Sequence, residues 1–233
     1  YHGYPTLVHE LGFSSLLYSS LSSTLALTNF LCAPVWGYYS DRHGRRPVLL
    51  VGTVMYACSQ FLFSRATTVP VLLIARLCGG IGSAGYITAG LAYIVDVSGP
   101  EARGRNLAVF TALTSISSSF GYLAGGLLGT ISVQTTFFVQ LTLLSTCALL
   151  GYFILGESRD RQAILLSRAD LTAKKFYDFK AMGSIMSLPV LLFLVSVVLA
   201  SFSTMGYDNA FNYYIKDVLA FPSSYNGFIK ATT

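Results

Sequence analysis

Gly37-Tyr38-Tyr39-Ser40-Asp41-Arg42-His43-Gly44-Arg45-Arg46-Pro47-Val48-Leu49 lies between two long stretches without a charge, and how it turns the chain decides the fold. Residues 11–40 hold no Asp, Glu, Lys or Arg, and after Arg46 the next charge is Arg65. A helix needs roughly 20 apolar residues to cross a bilayer core of about 30 Å. Residues 14–39 and 47–64 each supply one crossing, so residues 40–46 must reverse the chain at the membrane surface. Gly37 removes a side chain where another helix can approach, and Gly44 permits a positive φ in the turn. Pro47 suits a first helical turn, where a missing N–H is not missed. Asp41 can accept backbone N–H bonds or pair with a neighbouring arginine, while the arginines anchor to phosphates.

The rest of the chain agrees. It is 53% hydrophobic with a mean hydropathy of +0.60, and 11% of it is charged, against about 25% for an ordinary soluble domain. That excludes a soluble enzyme, a disordered tail and a nucleic-acid module. A third span is expected at about 70–95, with Arg76 as its one charge. Residues 106–156 are 51 positions without a charge, enough for two crossings, and Ser132-Val133-Gln134-Thr135-Thr136 is their natural turn. A sixth span is expected at about 189–214, and Gly227 onward opens toward a seventh. These runs are continuous, whereas barrel strands alternate polar and apolar residues.

Eleven of the fifteen Lys and Arg fall in the connections at 40–46, 96–106 and 157–188, which places these loops on the cytoplasmic side. The net charge of +5 is thus a topology signal. The expected organisation is an N-terminal helix bundle over residues 1–157 that lacks its first helix. A charged cytoplasmic linker follows at 158–188, suited to a helix on the membrane surface, and a second bundle begins at 189–233. The chain is read as part of a longer protein. Its four cysteines lie in apolar runs without metal-ligand spacing and read as buried hydrophobes.

The opening segment resembles the G-x-L-A-D-R-x-G-R-R-x-x-L signature between the second and third helices of the major facilitator superfamily. Gly37, Asp41, Arg42, Gly44, Arg45, Arg46 and Leu49 match it, and Tyr39 and Ser40 replace its Leu and Ala. Arg76 through Gly82 is similar to the R-x-x-Q-G-x-G of the family's fourth helix, with Gly79 in place of Gln. Ala92 to Asp96 and Pro100 to Arg105 resemble the end of that helix and its turn. The resemblance implies an all-α polytopic membrane protein with a partial major facilitator fold, about six transmembrane helices equivalent to the family's second to seventh. It further implies that Asp41, Arg45 and Asp96, with Gly37, Arg42, Gly44, Arg46 and Arg103 around them, form a cytoplasmic latch between two halves. The same resemblance gives Arg76 a role in proton or substrate coupling; an arginine that only reaches to the interface is the alternative.

Ser117, Gly121, Gly125 and Gly129 recur every four residues, a stripe that lets helix backbones meet in lipid. Gly121-Tyr122-Leu123-Ala124-Gly125-Gly126 resembles the G-P-x-x-G-G antiporter signature of the drug-efflux branch, with Tyr122 replacing Pro. Ser115, Ser117, Ser118 and Ser119 either line a cavity or bond back to the preceding turn. Asn29, Tyr86 and Tyr122 are further cavity candidates. Asp208 and Asn212, with Asn209, are either wetted boundary residues or part of a proton path.

The leading expectation is a secondary transporter moving a small solute by alternating access, by resemblance a proton-coupled multidrug-type antiporter. It would work without a cofactor beyond the coupling proton, without a metal and without nucleic acid, as a monomer in the plasma membrane. The alternatives are a sugar or organic-solute symporter of the same superfamily, or a non-transporting scaffold or receptor that keeps the fold. There is no G-x-x-x-x-G-K-S/T phosphate loop, and no catalytic constellation stands within the spans.

Overall fold

The protein is described by a computed structural model over residues 15–159 and 187–214, with Leu219 and Ile229 as single positions. Among these residues it is all helix and turn. The helices are α1 (Ser15–His43), α2 (Arg45–Arg65), α3 (Val69–Val97), α4 (Arg103–Ile131), α5 (Val133–Ile154) and α6 (Leu188–Tyr213). The chain forms two compact units, one containing α1–α5 and the other α6. The expected surface helix in the linker and the expected seventh span lie outside the described residues.

The helices run longer, and the turns shorter, than the charge pattern suggests. The seven-residue turn at 40–46 contracts to Gly44 alone, whose φ is +99° and whose N–H donates to the Ser40 carbonyl at 3.0 Å. Asp41 to His43 finish α1, and Arg45 already opens α2. Charged residues at a membrane interface can stay helical, so a charge run marks the end of the lipid core and not the end of the helix. The turn expected over 132–136 is likewise only Ser132, whose extended backbone lets its hydroxyl cap α5 by accepting from Thr135 N–H at 3.3 Å.

Among the described residues, four helices are long and apolar enough to cross a membrane: α2, α3, α4 and, from Gln134, α5. In α6 the apolar run is Leu188–Thr204. The first expected span, α1, is long enough to cross as well, with serines, threonines and Asn29 among its apolar residues. Its hydroxyls are satisfied within the helix: Ser20, Thr24 and Thr28 donate to the carbonyls of Leu17, Ser20 and Thr24 at 2.7–2.8 Å. Bonding of this kind removes much of the cost of placing a hydroxyl in lipid.

The α1–α3 core is built on close backbone approach. A Cβ on Gly52 would lie 2.5 Å from the Tyr86 nitrogen, and one on Gly82 would lie 2.6 Å from the Tyr56 nitrogen, so α2 and α3 touch backbone to backbone. On the side toward α1, a Cβ on Gly80 would lie 2.7 Å from the Leu25 carbonyl oxygen. Two polar contacts fix the same interface: Asn29 donates to Ser83 Oγ at 2.7 Å, and Trp36 Nε1 donates to the Ile81 carbonyl at 2.8 Å. Packing and hydrogen bonds, not expulsion of water, hold helices together in lipid, and this is where both concentrate. At the end of the bundle remote from Gly44, Leu21, Phe63, Ala66, Leu72, Ala75 and Phe137 form an apolar core that adds α5.

Helix α4 differs. Of its residues only Gly126 is buried within this unit, and a Cβ on Gly121 would meet nothing within 4 Å. At Gly121, then, the expected close approach is not made within α1–α5, whereas Gly126 is buried there. The tightest backbone approaches are made by glycines on α2 and α3.

Candidate functional site

Gly44 reverses the chain in one residue, so Asp41 on the last turn of α1 and Arg45 on the first turn of α2 stand side by side. Arg45 Nη1 lies 2.9 Å from Asp41 Oδ1 and donates to Ser40 Oγ at 3.1 Å. Its Nε donates to Asp96 Oδ2, near the end of α3, at 2.8 Å. One guanidinium thus ties together the ends of three helices. Its side chain is 11% exposed, Asp96 27% and Asp41 52%. An exposed ion pair contributes about 0.2–1 kcal/mol, whereas a charge-assisted bond sheltered from water contributes about 1.5–3 kcal/mol. Asp96 is therefore the stronger partner. Replacing Asp96 by Asn should lower thermal stability in detergent more than replacing Asp41 by Asn; equal shifts would remove that ranking.

A residue that sequence reasoning did not assign to this cluster completes it. Glu157, three residues past α5, accepts from the backbone N–H groups of Arg45 at 2.8 Å and Arg46 at 3.2 Å, and from Arg159 N–H at 3.2 Å. The first turn of α2 has no acidic residue, and Gly44 has no side chain with which to cap it. The carboxylate of Glu157 supplies both the missing acceptor and a negative charge at the positive end of the helix. Arg159 in turn pairs with Asp41, so the segment after α5 is fastened to both sides of the turn.

Gly44 is needed twice here. Its positive φ strains any residue with a Cβ, and that Cβ would overlap Glu157 Oε2 and lie 2.7 Å from its Cδ. Gly44→Ala is expected to cost about 2–3 kcal/mol, the sum of an alanine held at a φ and ψ open essentially to glycine alone and a lost helix cap. Thermal unfolding checks this with an internal control: in a Glu157→Ala background the same substitution should cost about 1 kcal/mol less, because the cap is already gone.

The remaining predicted residues divide. Arg42 stacks over the Tyr38 ring at 4.3 Å. Arg46 donates to the Tyr152 carbonyl and lies over the Tyr152 ring at 5.4 Å. Arg103 opens α4 as an exposed residue outside the Arg45 cluster. Gly37 is not a point of tight approach, because a Cβ there would sit at an ordinary 3.7 Å from Thr88 Cγ2. Asn29 is engaged with Ser83, and Tyr86 packs edge-on against Tyr56 at 5.5 Å. Tyr122 lines a cavity of about 470 Å³ between α4 and α5, together with Gly121, Gly125, Thr136 and Gln140. Ser118 and Ser119 bond back to the carbonyls of Thr114 and Ser115. Asp208 and Asn212 fall in the last two turns of α6, and their side chains lie outside the described residues.

Arg76 is 4% exposed, with its guanidinium carbon 3.9 Å from the centre of the Phe63 ring. It lies on the face of α3 that packs on α2, where Phe63 is also buried. A cation held over an aromatic face away from water gains about 2 kcal/mol or more, which offsets much of the cost of an arginine at this depth.

A single arginine thus crosslinks three helix ends beside a turn of one positive-φ glycine. The model of the Major Facilitator Superfamily matches residues 3–232, and the chain belongs to that superfamily. It is 34% identical over 183 residues to a class C tetracycline resistance protein of Escherichia coli, covering 78% of this chain and 46% of that one. It is 29% identical over 153 residues to multidrug resistance protein 1 of Bacillus subtilis, covering 66% and 39%. Among solved structures it is similar to the human organic anion transporter MFSD10 (TETRAN), with a TM-score of 0.55 and 26% identity over 69% of this chain and 38% of that one. The chain spans less than half the length of these relatives. It is an integral membrane protein whose described part is all-α.

Proposed function

We propose that the full-length protein is a secondary transporter that exports small solutes in exchange for protons. The observation that carries this reading is the Arg45 junction. It joins α1 to α3 through Asp41 and Asp96, while Glu157 holds the backbone of the same turn. Bonds of this geometry are specific to one arrangement of helix ends, so a rocking motion that shifts one end breaks several at once. The cluster then favours the state closed on the cytoplasmic side, and its rupture opens the solute path to the cytoplasm. Resemblance to tetracycline and multidrug resistance proteins supports export of drug-like solutes. Arg76, held in the bundle interior, is the candidate coupling residue.

In this reading residues 1–157 belong to the first helix bundle, 158–188 link the halves and 189–233 begin the second. The protein acts in the plasma membrane as a monomer, with the proton as its only coupling partner. A second reading, an organic-anion carrier, is favoured by the similarity to the human organic anion transporter.

Inside-out vesicles containing the full-length protein test both. With an acid interior, a cationic dye and tetracycline should accumulate inside and leave when a protonophore collapses the gradient. Accumulation of an anionic dye alone would favour the second reading. Solute moving in the same direction as protons would exclude antiport, and no movement of any probe would favour a scaffold.

A further inference from the structure

On the outer face of the first unit, α2 and α5 bound an apolar crevice of about 500 Å³. Leu50, Val54 and Phe61 line one wall, and Leu141, Ala148 and Tyr152 the other. On each helix the lining residues recur at three- and four-residue steps, so each presents a single stripe. From Leu50 to Phe61 is eleven residues, a rise of about 16 Å, close to the half-thickness of about 15 Å of one leaflet.

One turn before Leu50, on the same stripe, stands Arg46. Its guanidinium is held at the cytoplasmic mouth of the crevice over the Tyr152 ring and by the Tyr152 carbonyl. Its Nε is buried, and among the described residues it has no hydrogen-bond partner. That atom is enclosed by protein, but Arg46 as a whole is only half-buried. The Tyr152 carbonyl takes one of the five N–H donors of the guanidinium, which leaves donors for an anionic group at headgroup depth.

We propose that this crevice is a binding site for an anionic phospholipid of the cytoplasmic leaflet, with one acyl chain between α2 and α5 and the phosphate on Arg46. Charge and length select this occupant. A second protein helix would fill the crevice but would bring no phosphate to Arg46, and a free phosphate would leave the apolar walls uncovered. The site uses the Arg46 side chain, whereas the Arg45 junction engages Arg46 through its backbone N–H on Glu157, and it does not depend on the direction of transport.

The test uses the full-length protein in nanodiscs with phosphatidylglycerol carrying a photoactivatable group in its acyl chain. Adducts should concentrate within residues 50–61 and 141–152. Phosphatidylcholine carrying the same chain should give about fivefold fewer, the change expected when one arginine no longer meets an anionic headgroup. Arg46→Gln should reduce phosphatidylglycerol adducts to the phosphatidylcholine level, and Ala148→Phe should reduce both by filling the crevice. Excess inorganic phosphate should change nothing. The proposal is overturned by adducts spread evenly along all helices, by equal yields for the two headgroups on the wild-type protein, by competition from phosphate alone, or by crosslinks to a second protein chain in this crevice. The headgroup comparison needs no variant, so a substitution that fails to fold leaves the test intact.

Discussion

Replacing Arg45 by alanine in the full-length protein is expected to reduce proton-driven export at least about tenfold. The change removes the one side chain that contacts Asp41, Ser40 and Asp96 together. It leaves the carboxylate of Asp96, three-quarters sheltered, facing no cation from α2. Each charge-assisted bond in such a place contributes about 1.5–3 kcal/mol, and about 1.4 kcal/mol is a factor of ten in an equilibrium. The state closed on the cytoplasmic side should lose at least that much. Arg45→Lys should fare little better, because an ammonium cannot present Nε and Nη1 to two carboxylates on different helices. Glu157 binds the backbone, so the α2 cap should survive both substitutions and the protein should still be made and inserted. Export within twofold of wild type in Arg45→Ala would remove the junction from the mechanism.

The largest effect on stability is expected at the α2–α3 crossing. Gly52→Ala and Gly82→Ala each place a methyl group 2.5–2.6 Å from a backbone nitrogen of the facing helix, where no side chain can move aside. The helices must separate, which loosens the Asn29–Ser83 and Trp36–Ile81 contacts on the other side of α3. Overpacking typically costs about 1–3 kcal/mol, and rigid backbone on both sides places these two at the upper end. Gly104→Ala is the control: a Cβ there meets nothing within 4 Å, and a helical glycine replaced by alanine gains up to about 1 kcal/mol. Thermal unfolding in detergent should show a large drop for the first two and none for the third.

The positions of the helices were legible because lipid imposes a simple rule on sequence. Apolar runs of 18 residues or more, one of them interrupted by Arg76, identified the helices between 15 and 154, and one glycine beside two arginines marked a reversal. The helix ends were less so, since Asp41 to His43 obey the same hydrogen-bond ladder as the apolar residues before them. The glycines show a different limit. A four-residue stripe on α4 and the denser run from Gly79 to Gly85 on α3 carry the same information about backbone approach, and spacing does not say which face meets a neighbour within the unit. Glu157 was hidden for a third reason. It caps a helix 112 residues earlier in the chain, and no local pattern encodes that. Its signal was indirect: α2 follows Gly44, begins with two arginines and has no acceptor of its own for its first N–H groups.

Ser40 offers the most direct test of the central claim that the Arg45 junction closes the cytoplasmic end of this bundle. It is 0% exposed and lies under the Arg45 guanidinium. A single cysteine at this position, in a full-length protein whose native cysteines are all replaced, can be labelled with a membrane-impermeant maleimide from either face of sealed vesicles. The account predicts slow labelling from the cytoplasmic face only, accelerated about tenfold or more by Arg45→Ala, as loss of about 1.5 kcal/mol or more of closure requires. Labelling from the outer face, or a rate that Arg45→Ala does not change, would contradict it.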